Sequence, residues 1–592
     1  MVSFEIKQDF MLDGKPFKIL SGAVHYFRIV PSQWYSTLYN LKALGFNTVE
    51  TYIPWNLHEP QEGQFNFNGM TDLEGFLQVA QKLGLYVILR PSPFICAEWE
   101  LGGLPAWLLN LPQIQLRSSQ PLFLEKVQHY YDALLPRLVD YQISHGGPVL
   151  MMQVENEYGS FGEDRDYLMA LVKMLRTGGI EVPLFTADGT WIEALTAGNL
   201  TDQDILVTGN FGSQSDQNFD NLAQFMKQKG KQWPLMCMEY WDGWFNRWGE
   251  AVIRREATEM VADIKQLLQR GSLNLYMFRG GTNFGFMNGC SARKTKDLPQ
   301  VTSYDYDAIL TEWGAPTEKY YALQKMIHEL FPELKQLPPM LPELSAVASV
   351  KPDGVAGLFD QAGHLSASNS LYPQSFEQLQ HYYGYVWYHT TTQNFHHPEQ
   401  LKVIDAQDRV QFYVDQQWLG TQYGEEIGDE LTYDATTEEV QLDLLVENMG
   451  RVNYGYKLNA PSQRKGIKGG VMVDHQFQVG WAQYPLAIDQ RVLAQLDFQL
   501  PKKQQPVQPT FTHFTVDLTA IKSTFINCQA YGKGCIWVNG FNLGRYWSRG
   551  PIHSLYVPAE LLKEHNEIVV FETENVLVDE LSFTDQPVIE KI

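Results

Sequence analysis

The stretch PVLMMQVENE, Pro148–Glu157, decides how the first half of the chain reads. Its body is apolar without interruption, and its end carries Gln153, Glu155, Asn156 and Glu157. A strand that is apolar on both faces has no solvent side, so it belongs in a parallel sheet covered above and below. Seven further runs share the form: Phe17–Tyr26, Phe46–Trp55, Leu85–Phe94, Pro183–Gly189, Ile205–Gly212, Pro234–Gly243 and Leu273–Gly281. Segments of helical period lie between them. Trp34, Leu38, Leu41 and Leu44 form one stripe, and Leu122, Val127, Tyr130, Leu134, Leu138 and Tyr141 a longer one. Residues 251–269 and 317–330 read likewise. Eight strand–helix units predict a (β/α)8 TIM barrel over residues 1–335. A doubly wound open sheet is the alternative, but no GxGxxG follows the first run.

Beyond residue 335 the chain changes character. KQLPPMLPELS (Lys335–Ser345) is a proline-rich exit. Short alternating runs follow, among them YVWYHTTT, VQFYVDQQWLG and VQLDLLVENMG, separated by Gly, Asn and Asp turns. A second proline-rich segment, Leu500–Pro509, divides them. The expected organisation is a barrel over 1–335 and a linker over 336–380 whose strands join the β-domains. A first β-sandwich over 381–499 and a second, jelly-roll sandwich over 500–592 complete it.

Composition removes several functions. The 592 residues hold 45 Lys+Arg against 68 Asp+Glu, a formal charge of −23, which argues against a nucleic-acid or anionic-membrane partner. No apolar run is long enough to span a membrane. The first residues, MVSFEIKQDFMLDGKPF, lack the basic-then-apolar pattern of a signal peptide. Cys96, Cys237, Cys290, Cys528 and Cys535 are odd in number and scattered, which suits reduced thiols in a cytoplasmic protein. They form no zinc-like spacing, so neither a metal nor another cofactor is expected. Aromatic residues make up 13% of the chain, enough to serve both a core and a sugar-stacking site.

In such a barrel the chemistry lies at the C-terminal ends of the strands. The fourth run ends in Gln153, Asn156 and Glu157, and the seventh in Glu239, within MCMEYWDGW. The second ends in Tyr52, Trp55, Asn56 and His58, the third in Glu98 and Glu100, and the eighth in Tyr276. Two carboxylates on facing strands suit glycoside hydrolysis, in which one protonates the leaving oxygen and the other attacks the anomeric carbon. Glu157 and Glu239 are the expected pair. Asn156 is placed to bind a sugar hydroxyl, Glu155 to support its neighbours, and Glu100 to form a loop ion pair.

The stretches TYIPWNLHEP, RPSPFICAEWELGGLPAWLL, QVENEYGS, NLYMFRGGTNFG and SYDYDA together resemble the glycoside hydrolase family 35 β-galactosidases. The likeness resumes at GKGCIWVNGFNLGRYW (Gly532–Trp547), and so covers most of the chain. It implies a retaining exo-hydrolase of terminal β-D-galactose, with Glu157 as acid/base and Glu239 as nucleophile about 5–5.5 Å apart. It implies galactose contacts at Tyr52, Ile95, Cys96, Ala97, Glu98, Asn156, Tyr276, Tyr304 and Tyr306. Backbone groups of Cys96 and Ala97 would bind hydroxyls, and Tyr276 and Tyr304 would bond Glu239 or the sugar. The last sandwich would be galactose-binding-like. Trp241 stands where other members carry tyrosine, and Trp244 follows it, so two indoles would wall the leaving-group subsite. Members that resemble this chain are bacterial, cytoplasmic and prefer β-1,3 linkages. Tyr454 or Tyr456, in GRVNYGYKL, could reach the second sugar. The expected partner is a small galactoside, and the expected assembly a homodimer. A retaining β-glycosidase of other sugar specificity and a non-catalytic carbohydrate-binding protein are the alternatives.

Overall fold

The computed structural model describes residues 2–335, 337–501 and 504–590. The linker's expected first residue, 336, therefore lies outside the described residues, as do residues 502 and 503 of the second proline-rich segment and the two chain ends. Eight parallel strands close into a barrel: β1 (Leu20–Val24), β2 (Thr48–Tyr52), β3 (Tyr86–Arg90), β4 (Val149–Asn156), β5 (Leu184–Gly189), β6 (Leu206–Phe211), β7 (Met236–Trp241) and β8 (Ser272–Arg279). Each expected run contains or overlaps one of them. Nearly every strand residue is buried, as apolar runs of this kind require.

A helix follows each strand: α1 (Trp34–Ala43), α2 (Leu73–Lys82), α3 (Pro121–Leu134), α4 (Arg165–Thr177), α5 (Ile192–Gly198), α6 (Ser215–Gln228), α7 (Ala257–Arg270) and α8 (Glu318–Leu330). Asp72 and Asp164 cap α2 and α4 by accepting hydrogen bonds from the main-chain N–H groups of Gly75 and Tyr167. The long stripe from Leu122 to Tyr141 is not one helix. It breaks after Leu134 into 3-10 turns at Leu135–Arg137 and Val139–Tyr141. Pro136 has no N–H to continue the ladder, and its ring crowds the preceding turn. Before β1, three short antiparallel strands (Phe4–Ile6, Phe10–Leu12, Lys15–Pro16) bring Phe4 and Phe10 into the barrel's core.

Two β-sandwiches follow the barrel. In the first, a six-stranded sheet faces a four-stranded one across a core that includes Val386, Phe412, Val446, Val471 and Trp481. In the second, five strands face three across Phe514, Ile526, Ile536, Leu555 and Ile568. Residues between the barrel and the sandwiches join both: Gly354–Gly357 pairs with Thr510–Asp517, and Ser368–Ser370 pairs with Trp481–Pro485. A separate apolar cluster draws on both sandwiches. Trp387 stacks on Tyr484 at 4.2 Å and Phe511 on Phe571 at 4.4 Å, with Trp537 buried among them.

Buried charges tie the first sandwich to the barrel. Arg451 reaches Glu100 of the β3–α3 loop at 2.5 Å and Glu377 at 2.7 Å, and all three side chains are buried. Removing one member of such a group leaves the others charged and dry, at a cost of about 3–5 kcal/mol. Arg451→Met is therefore expected to lower the thermal unfolding midpoint clearly in calorimetry. Adding Glu100→Gln and Glu377→Gln should recover part of the loss. An unchanged midpoint in Arg451→Met would contradict this role for the charges.

Candidate active site

Both expected catalytic strands are irregular just below their carboxylates. In β4, Gln153 pairs with Phe185 while Asn156 pairs with Ala187, so three steps on one strand match two on the next. In β7, Cys237 pairs with Gly209 and Glu239 with Asn210, so two steps match one. Each bulge shifts the alternation of faces by one residue. Asn156 thereby comes to the same guanidinium as Gln153, which regular alternation would place on the opposite face.

That guanidinium is Arg90, the last residue of β3 and wholly buried. Its Nη1 lies 2.7 Å from Oε1 of Glu239, and its Nε lies 3.8 Å from Oε1 of Glu50, a residue of β2. Nε also donates to Gln153, and Nη2 to Asn156 Oδ1 at 2.7 Å. The Tyr52 ring lies beneath it, 3.9 Å from centroid to guanidinium carbon. The Tyr52 hydroxyl lies 2.6 Å from Glu239 Oε1 and 2.8 Å from Asn156 Oδ1; its single proton serves the shorter contact. Trp241 Nε1 donates to Glu239 Oε2 at 3.2 Å. Glu239 is thus a buried carboxylate with a cation and two neutral donors.

Glu157 has poorer company. Its one hydrogen-bond donor among the described residues is Asn210 Nδ2, at 2.9 Å from Oε1. Burial, followed by the charge of Glu239, pushes its carboxyl up to about 7. Burial also pushes Glu98 up to about 7, against the hydrogen bond from the Tyr304 hydroxyl and the charge of Arg28. The Arg28 guanidinium lies over the Tyr304 ring at 3.8 Å and donates to the Ala97 carbonyl.

Left-handed backbone collects here. Cys96, Ala97 and Glu98 have φ of 55°, 50° and 48°, Glu157 has 47° and Tyr306 has 62°. Each non-glycine residue held there costs on the order of 1 kcal/mol or more, so its surroundings must enforce it. Trp99 N–H bonds the Cys96 carbonyl, Gly289 N–H bonds the Glu98 carbonyl, and Asn453 Nδ2 reaches Cys96 Sγ at 3.3 Å. A Cβ on Gly289 would come within 2.8 Å of both Glu98 and Gln300 atoms, so this approach needs glycine.

These groups surround a cavity of about 350 Å³. Ile95, Cys96, Ala97, Glu98, Asn156, Glu157, Glu239, Trp241, Trp244, Tyr276, Tyr306 and Tyr454 line it. Tyr52 and Tyr304 stand behind the wall and act through Glu239 and Glu98. Several of the expected residues have partners within the protein. The Cys96 and Ala97 carbonyls already accept protein donors. Tyr304 bonds Glu98, and Tyr276 lies 3.3 Å from the Tyr304 hydroxyl; it is Tyr52 that bonds Glu239. Glu155 turns away to a two-pronged pairing with Arg117, both contacts at 2.8 Å. Tyr456 points outward, 76% exposed, whereas Tyr454 faces the cavity.

Arg90, Asn210, Trp191, Arg247 and Asn453 were not anticipated. Arg90 did carry a signal, because a cation closing an apolar strand is rarely buried unpaired. Asn210 is the last residue but one of its strand, close to the end as Asn156 is in its own. Trp191 carried none.

Residues 9–330 match the family described as Glycosyl hydrolases family 35. The chain belongs to that family. This family 35 glycoside hydrolase also matches "Beta-galactosidase, first all-beta domain" over 373–487 and "Beta-galactosidase, galactose-binding domain" over 509–567. It is 37% identical to human beta-galactosidase-1-like protein 3, covering 98% of this chain and 88% of the relative. It is 39% identical to the mouse beta-galactosidase, covering 98% and 94%, and 37% identical to rice beta-galactosidase 8, covering 96% and 92%.

The raised Glu157 carboxyl is testable without turnover. Glu239→Gln removes the negative charge beside it, which favours the ionised form. In ¹³C-glutamate NMR, Glu157 should titrate at about 7 in the wild type and clearly lower in the variant. An unchanged titration would show that the two carboxyls do not interact.

Proposed function

We propose that the enzyme removes terminal, non-reducing β-D-galactose with net retention, using Glu239 as nucleophile and Glu157 as acid/base. The observation that carries this reading is the unequal company of the two carboxyls. Glu239 has Arg90, Tyr52 and Trp241 around it, whereas Glu157 has one amide and a negative neighbour. A retaining glycosidase needs such a pair, ionised on one side and protonated on the other at one pH.

In the first step a Glu239 oxygen bonds the anomeric carbon as the glycosidic C–O bond breaks, and the Glu157 proton passes to the departing oxygen. The Glu239 charge disappears in the ester. The carboxyl of Glu157 then loses one cause of its upward shift and becomes a carboxylate. In the second step Glu157 takes a proton from water, the resulting oxygen attacks the anomeric carbon, and the ester bond breaks to restore Glu239. Arg90 and the Tyr52 hydroxyl receive the returning charge. Glu98 and Asn156, which line the cavity, would bind galactose hydroxyls.

The relatives' names support galactose as the sugar, and the indoles Trp241 and Trp244, meeting edge to face at 5.7 Å, support an aromatic leaving-group subsite; a β-1,3 linkage is the preference we propose for it. Five buried, unpaired cysteines support a reducing, cytoplasmic setting. The assembly we propose is a homodimer, which sedimentation would test.

Glu239→Gln should abolish turnover, with azide restoring it and yielding the inverted galactosyl azide. Near-normal activity in the variant would exclude Glu239 as nucleophile. Glu157→Gln should slow poor leaving groups far more than nitrophenolate; a uniform loss would exclude the acid role. In the wild type, kcat/KM should fall as pH rises through about 7, where Glu157 gives up its proton. Galactosyl disaccharides that differ only in linkage should show β-1,3 cleaved fastest. Nitrophenyl β-glucoside should be a poor substrate beside the β-galactoside.

A further inference from the structure

Trp191 stands two residues beyond β5, at the entry to α5. It is 49% exposed, an unusual state for the largest aromatic side chain. Its indole is nevertheless held in place. A Cβ on Gly189 would meet ring atoms Cζ3 and Cη2 of Trp191 at 1.9 and 2.1 Å, so the ring rests against the bare main chain of Gly189. One part of the indole is braced and the rest is open.

The open part faces two cavities. Trp191, Trp241 and Trp244 all line the cavity that holds Glu157 and Glu239. The same three tryptophans line a neighbouring cavity of about 500 Å³, together with Ser213, Asn218 and Glu259. The two cavities are therefore neighbours, with Trp191, Trp241 and Trp244 bordering both. Sugar rings present C–H faces and a rim of hydroxyls. An exposed, braced indole with hydroxyl, amide and carboxylate groups near it is complementary to that pattern.

We propose that this outer cavity is a further leaving-side subsite. It takes the sugar unit that follows the one attached to galactose, with Trp191 as its stacking surface. The preferred substrates are then β-galactosyl-terminated oligosaccharides of three or more units rather than disaccharides. The inference rests on the β-galactosidase reading above and extends it along the leaving group.

The test compares wild type, Trp191→Ala and Trp191→Tyr on three substrates. These are nitrophenyl β-galactoside, a β-galactosyl disaccharide, and that disaccharide extended by one hexose at its reducing end. The wild type should favour the trisaccharide. Trp191→Ala should lose about tenfold more in kcat/KM on the trisaccharide than on either of the other two, the scale of removing one aromatic contact. Trp191→Tyr should keep most of the trisaccharide rate, and size-exclusion elution should not move. An equal loss on all three substrates, or no loss on the trisaccharide, overturns the subsite. A changed oligomeric state with uniform loss overturns it in favour of a contact between copies through Trp191 and Ile192. A wild type inactive on all three substrates overturns the β-galactosidase reading itself, and the subsite with it.

Discussion

A single buried guanidinium organises the catalytic end of the barrel. Arg90 is closed off from water and stands between Glu50 and Glu239, with Gln153, Asn156 and the face of Tyr52 around it. A buried cation is tolerated only with compensating charge and filled hydrogen bonds. Meeting that requirement draws together β2, β3, β4 and β7, the strands that carry these groups. The same arrangement gives Glu239 a positive partner and leaves Glu157 without one. The unequal company of the two carboxyls thus follows in part from how one arginine is accommodated. Glu50, pushed up to about 7 by burial, completes the charge set below Arg90.

The all-β part of the chain is not an appendage to this barrel. The loop of the first sandwich that carries Arg451, Asn453 and Tyr454 closes one side of the cavity. Arg451 anchors it to Glu100, Asn453 steadies the left-handed turn at Cys96, and Tyr454 lines the cavity together with Glu157. The second sandwich braces the first through Glu447, whose carboxylate meets Lys533 at 2.5 Å and Arg545 at 3.3 Å in the dry interior. Arg545 in turn donates to Asn288 of the barrel. Strain in the Cys96–Glu98 turn is therefore held in part by Gly289 and Asn453, both far along the chain. Local sequence could not have enforced it.

The architecture was legible because its causes are local. An apolar run such as Pro148–Glu157 has no choice but a doubly covered strand, and eight of them with helices between can close. The polar ends of those runs announced the catalytic end for the same reason, since buried strands carry polar groups only where they emerge. Glu157 and Glu239 stood out as candidates in this way, and so in principle did Arg90. Other features follow from distant partners. The bulges in β4 and β7 arise from pairing with β5 and β6, and they decide which side chains share a face. The partner of Tyr304 depends on a loop that comes 200 residues earlier in the sequence. Trp191 looks like any surface tryptophan until Gly189 and two cavities are seen around it. By itself the sequence determined the fold class and the family and nominated the two carboxyls, because these are written in periodicity and in contiguous motifs. Only the tertiary structure decided which donor meets which oxygen, because burial and hydrogen bonding are properties of the assembled neighbours rather than of any one segment.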